Sequence, residues 1–127
     1  MQPRGFIGRS RRRPEGLVFL EVDVVMSVRL KKLETMLEKT PNDAFLLYGV
    51  ALEYKSAGRY DEAIKFLNRT LEVDPAYCYA YFQSGQVYEM TGDTEAARNI
   101  YEAGIDAAKK KGDAHAESEI RGALESL

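Results

Sequence analysis

From residue 28 to the last residue, apolar side chains recur at intervals of three and four, and charged side chains fill the places between them. That is the period of helices burying one face. Leu30, Leu33, Met36 and Leu37 mark a first helix over 28–39, with Arg29, Lys31, Lys32, Glu34 and Glu38 outside. Leu47, Val50, Ala51 and Tyr54 mark a second, from Pro41 to about Ala57, and Ala63, Leu67, Thr70 and Leu71 a third, to about Val73. Tyr81, Ser84, Gly85 and Tyr88 line a fourth; Ala97, Ile100, Tyr101, Gly104, Ile105 and Ala108 line a fifth. The sixth starts at Asp113. It aligns Ala116, Ile120, Ala123, Leu124 and Leu127 against an outer face of Glu117, Glu119, Arg121 and Glu125. The pattern predicts an all-α chain of about six helices.

The breaks between these stripes carry helix punctuation. Gly58, Gly92 and Gly112 follow the second, fourth and fifth helices, where a residue without Cβ takes the left-handed conformation at no steric cost. Thr40-Pro41-Asn42-Asp43 reads as a helix start, with Thr40 as cap and Pro41 at the first helical position. Asp74-Pro75 repeats it, Thr94 is the expected cap of the fifth helix, and Asp113 that of the sixth. Lys109, Lys110 and Lys111 stand at the fifth helix's C-terminus, where cations suit the helix dipole.

The stretch Ala44 to Pro75 returns in outline from Cys78 onward. Tyr54 maps to Tyr88, Gly58 to Gly92 and Ala63 to Ala97, each pair 34 residues apart. This tandem spacing resembles the tetratricopeptide repeat (TPR), whose pattern is W-x2-L-G-x2-Y, then A-x3-F, then P. Leu47, Val50, Ala51, Tyr54, Ala63, Leu67 and Pro75 fall on those places in the first unit, and Tyr81, Ser84, Gly85, Tyr88, Ala97 and Tyr101 in the second. The departures are Leu or Tyr for the Trp, Ser84 for a Leu, and Lys109 where the final Pro would stand. The resemblance implies an antiparallel helix-hairpin solenoid over 27–127. It would consist of half a repeat, two full repeats and a C-terminal capping helix, and is similar to small bacterial one-domain proteins of this repeat.

The same resemblance implies a function class, a noncatalytic module holding a peptide or partner helix in the concave groove. The groove-facing residues would be Phe45, Tyr48, Leu52 and Lys55 in the first unit, and Tyr79, Phe82, Gln86 and Glu89 in the second. With Tyr77 these give an aromatic groove suited to an apolar or Pro-containing segment. The structural alternative is that several of the aromatics pack against one another. Some TPR proteins clamp a chaperone's C-terminal carboxylate with Lys and Asn. Tyr48, Leu52, Phe82 and Gln86 occupy the corresponding places, so no such tail is expected as a partner.

Composition narrows the alternatives. With 45% hydrophobic and 30% charged residues and a net charge of −2, the chain reads as a folded protein with no general pull toward nucleic acid or membrane. Basic character is confined to the start, where residues 1–26 hold Arg4, Arg9, Arg11, Arg12 and Arg13 against Glu15, Glu21 and Asp23. Residues 1–16 read as a disordered arm. Leu17 to Met26 alternates like a strand, and Met26 is a candidate start that would leave residues 1–25 outside the native protein. Two further readings follow: closure by homodimerisation, or contact of the Arg cluster with nucleic acid or an acidic partner. The single cysteine, Cys78, excludes an intrachain disulfide and is expected to pack inside a helix. His115 lacks Cys or His neighbours at ligand spacing, so it is expected at the surface, and neither metal nor cofactor is implied. Asp61-Glu62 and Asp93-Thr94-Glu95 read as helix starts rather than catalytic carboxylates, and no membrane span is expected. The expected location is cytoplasmic.

Overall fold

The computed structural model of the chain describes residues 28–127. Six helices follow one another through the described residues: α1 (28–39), α2 (Ala44–Ser56), α3 (Tyr60–Val73), α4 (Cys78–Met90), α5 (Thr94–Lys111) and α6 (Ala114–Glu125). The fold is all-α, with α2 against α3 and α4 against α5 as antiparallel pairs; α3 packs on α4, and α6 closes on α5. The arm, the Leu17–Met26 strand and the Met26 start lie outside the described residues.

The core is a series of three clusters rather than one centre. Leu37, Leu46, Leu47 and Val50 pack beside Leu30 and Leu33 of α1. Ala51, Ala63, Leu67, Ala80 and Val87 join α2, α3 and α4. Cys78, Ala97, Tyr101, Ile105, Ala108, Ala116 and Ile120 join α4, α5 and α6. Each helix therefore buries its stripe against sequence neighbours, as a linear array does. Small residues set how closely the helices meet. A Cβ on Gly85 would stand 2.0 Å from the Tyr101 ring, and one on Gly104 would stand 2.6 Å from Cβ of Tyr81. Tyr101 fills the room left by Gly85 and is fully buried.

The helix ends follow the glycines but not every expected cap. Gly58 and Gly92 have φ of 77° and 82°, the left-handed geometry that lets Arg59 N–H and Asp93 N–H donate back to Tyr54 O and Tyr88 O, both at 2.9 Å. Asp113 caps α6 by accepting from Ala116 N–H at 3.0 Å, as its position predicts. The second helix does not begin at Pro41. Thr40 instead closes α1, its hydroxyl donating to Met36 O at 3.3 Å, and Asp43 caps α2 by accepting from Leu46 N–H at 3.2 Å. Asp74-Pro75 is likewise a turn: the Asp74 carboxylate accepts from Ala76 N–H at 3.0 Å, and α4 starts at Cys78. At α5 the cap is Asp93, which accepts from Ala96 N–H at 3.1 Å, and Thr94 is already inside the helix. The physical reason is the same at α2 and α5. A carboxylate three residues before a free N–H reaches it directly, and that residue takes the cap.

Candidate partner-binding groove

In α2 the buried Leu46, Leu47, Val50 and Ala51 leave Phe45 exposed and Leu52 and Lys55 half-buried, whereas the half-buried Tyr48 packs against the cluster that joins α2, α3 and α4. In α4 Gln86 is half-buried and Glu89 exposed, whereas Tyr79 and Phe82 pack against the cluster that joins α4, α5 and α6. Side chains hold these two faces together. The Lys55 ammonium donates to Gln83 Oε1 at 2.6 Å and to Gln86 Oε1 at 2.7 Å. Tyr48 and Tyr77 meet with ring centroids 4.8 Å apart. One helix further on, the Tyr79 hydroxyl donates to the Glu119 carboxylate of α6 at 2.8 Å.

Sorted by height along the helices, the nine residues divide into two ends. The aromatic end holds Phe45, Tyr48, Tyr77, Tyr79 and Phe82, all in or just before the first turns of α2 and α4. The polar end holds Lys55, Gln86 and Glu89, with the apolar Leu52 leading into it, all in the later turns. Four of the five aromatics have aromatic neighbours: besides Tyr48 on Tyr77, Tyr79 meets Phe82 edge-on at 6.4 Å, and Phe82 lies 6.4 Å from Tyr101. Phe45 is 71% exposed and has no such neighbour among the described residues. At the polar end, Glu89 accepts from the Tyr101 hydroxyl, so this carboxylate is tied to the unit's own core.

The electrostatics follow the contacts. Burial pushes the Tyr48 and Tyr77 phenols up and the Lys55 ammonium down. The hydrogen bond to Glu119, with a smaller contribution from burial, pushes Tyr79 up to about 12. Burial first, and Glu89 second, raise Tyr101.

Gln83 and Glu119 belong to this surface and were not in the expected set. Gln83 stands beside the groove stripe rather than on it, and Gly49 is its counterpart 34 residues earlier, so the repeat gave no polar signal there. Its spacing of three from Gln86 is the feature that points to a shared partner. Cys78 is buried, its Sγ donating to Ala76 O at 3.4 Å, and burial raises its thiol. His115 is exposed and sits 3.4 Å from Glu119. On the opposite face of α4, a cleft of about 450 Å³ opens between Tyr81, Pro75, Ala103 and Ala107. The Tyr81 hydroxyl donates to Pro75 O at 2.8 Å at its edge.

Comparison with known proteins gives a consistent picture. The family signature described as TPR repeat matches residues 51–92, and that described as tetratricopeptide repeat matches residues 79–111. The TPR repeat-containing protein PA0015 of Pseudomonas aeruginosa is 34% identical over 98 residues, which covers 77% of this chain and 93% of that protein. Among solved structures, protein BPP2914 of Bordetella parapertussis is 28% identical with a TM-score of 0.68, covering 76% of this chain and 84% of its own. The type III secretion translocator chaperone SycD of Yersinia enterocolitica superposes with a TM-score of 0.75 over 88% of this chain and 85% of its own. PcrH, solved in complex with the chaperone binding region of PopD, gives 0.74 over 94% and 91%. At 15% identity these last two show the fold alone. Among the described residues no helix is long and apolar enough to cross a membrane.

Proposed function

The chain belongs to the tetratricopeptide repeat family, and on that premise we propose that it is a noncatalytic interaction module holding a partner's peptide segment in the groove of α2, α4 and α6. Members of the family are generally protein-interaction modules, and the fold is one that in PcrH accompanies a bound region of PopD. The observation that carries the reading is Phe45, a large aromatic 71% exposed, three residues before Tyr48, whose ring meets that of Tyr77 at 4.8 Å. Rings already fixed by one another lose little freedom when a partner covers them, so their area goes into binding rather than ordering. Leu52 extends the apolar strip toward Lys55. A cytoplasmic location goes with this reading and is checked by cell fractionation.

Affinity capture from the source cell tests it, with Phe45→Ser/Leu52→Ser as the control bait. Both side chains are outside the buried clusters, so the double variant should keep the helical circular dichroism of the parent. Loss of the captured partner is the expected result. Equal capture by parent and variant would place the contact elsewhere.

A second reading, self-association, is favoured by α1, where Val28 is 59% and Met36 48% exposed. By the 34-residue period Met36 matches Thr70 of α3, which is fully buried. Sedimentation over a hundredfold concentration range decides this reading: a rising mass supports it, and a constant monomer removes it.

A further inference from the structure

Lys55 is held unlike the paired arginines of the chain. Arg29, Arg59 and Arg121 each face a carboxylate: Glu53 at 3.2 Å, Glu62 at 3.0 Å and Glu117 at 2.9 Å. Lys55 faces two neutral amide oxygens, and among the described residues no carboxylate lies within ion-pair distance of it. Four carboxylates of the neighbouring helices have other partners. Glu34 of α1 accepts from Tyr54, Glu53 of α2 holds Arg29, Glu89 of α4 takes the Tyr101 hydroxyl, and Glu119 of α6 takes Tyr79.

Two hydrogen bonds use two of the ammonium's three N–H groups, and both accepting amides lie on α4. The amide Nε2 of Gln86 donates to no acceptor among the described residues. Neutral acceptors fix the position of the charge without cancelling it. Burial without a counter-charge disfavours the ammonium, in the direction its lowered pKa shows. An anion at this corner would gain a charge-assisted bond from Nζ and a second bond from Gln86, in a half-buried place where such bonds are stronger than in open water.

We propose that Lys55 and Gln86 form a carboxylate subsite of the groove, and that the partner segment carries an aspartate or glutamate side chain there, at a fixed spacing from the apolar residue that covers Phe45. This rests on the groove reading above. One cation, rather than a set of them, suits a side chain in the middle of a segment.

The test is selection of random twelve-residue peptides, displayed without a free C-terminus, on the full chain and on the Lys55→Glu and Phe45→Ser/Leu52→Ser variants. The parent should select peptides with Asp or Glu at one spacing from an apolar residue. In a synthetic, C-terminally amidated peptide from that pool, changing Glu to Gln should weaken binding about tenfold, the size of one lost charge-assisted bond. Lys55→Glu should turn the preference at that position to Lys or Arg. A pool lost on Phe45→Ser/Leu52→Ser, yet indifferent to Glu→Gln and to Lys55→Glu, overturns the subsite and leaves the groove reading standing. A pool that survives Phe45→Ser/Leu52→Ser, or no pool at all, overturns both. If the amidated peptide fails and only its free acid binds, the anion is a chain terminus and the side-chain proposal falls.

Discussion

Gly85 and Tyr101 are one structural feature split between two helices. The ring of Tyr101 occupies the space a Cβ on Gly85 would need, and its hydroxyl finds Glu89 one turn further along α4. Since the ring is fully buried and has nowhere to move, Gly85→Ala should destabilise the fold by roughly 2–3 kcal/mol, the usual cost of overpacking. Urea unfolding measures it, and a change below about 0.5 kcal/mol would mean the pair can separate freely. At the groove rim the corresponding residue-scale prediction concerns Tyr79, whose phenol is held near 12 by the Glu119 carboxylate. In Glu119→Gln the carboxylate is gone, so the Tyr79 ionisation should return toward the ordinary phenol range in an NMR titration of labelled tyrosine. No shift would mean that the Tyr79–Glu119 bond does not form in solution. Gly85 and Tyr101 were legible from the repeat because their size is dictated by the helix pair itself. Gln83 was not, because its role depends on Lys55 of the neighbouring unit, 28 residues away.

At the scale of the element, the stripes were readable from spacing, since burial of one face forces the period whatever the identity of each residue; the exception is Met36, expected on the stripe of α1 but 48% exposed. The starts were harder to read. Thr40-Pro41-Asn42-Asp43 contains three capping residue types and Asp93-Thr94 two, and which one caps depends on where the preceding turn releases the chain. After Gly92 that is Asp93. Asp93→Ala should therefore cost about 1 kcal/mol, the typical value of a lost N-cap, while Thr94→Ala should change stability by less than about 0.5 kcal/mol. Thermal unfolding of the two variants makes the comparison, and the opposite ranking would return the cap to Thr94.

For the molecule as a whole, stability runs along the array, and each cluster depends on the helix that covers it. The terminal cluster depends on α6, through Ala116 and Ile120. Ile120 is fully buried and approaches α5 beside Gly104, at 3.2 Å from the position of its absent Cβ. Ile120→Ala should cost about 2–4 kcal/mol in urea unfolding; a near-neutral effect would show that α6 is not the cap of the array. The fold was open to sequence reading because a 34-residue period constrains many positions at once. The groove was open only in outline. Its nine expected residues came from the resemblance to the repeat family, but the ties of Lys55 to Gln83 and Gln86 and of Tyr79 to Glu119 are contacts between units, which no single repeat contains.

The claim at the centre of this account is that the face shared by α2 and α4 is where a partner segment lies. The most direct measurement is a map of backbone amide chemical-shift changes on titrating the full chain with a peptide selected on it. The account predicts that the largest changes fall on Phe45, Leu52, Lys55 and Gln86, with Ala103 and Ala107 on the opposite side unmoved. Changes centred on Ala103 and Ala107, with Phe45 and Lys55 unmoved, would contradict it.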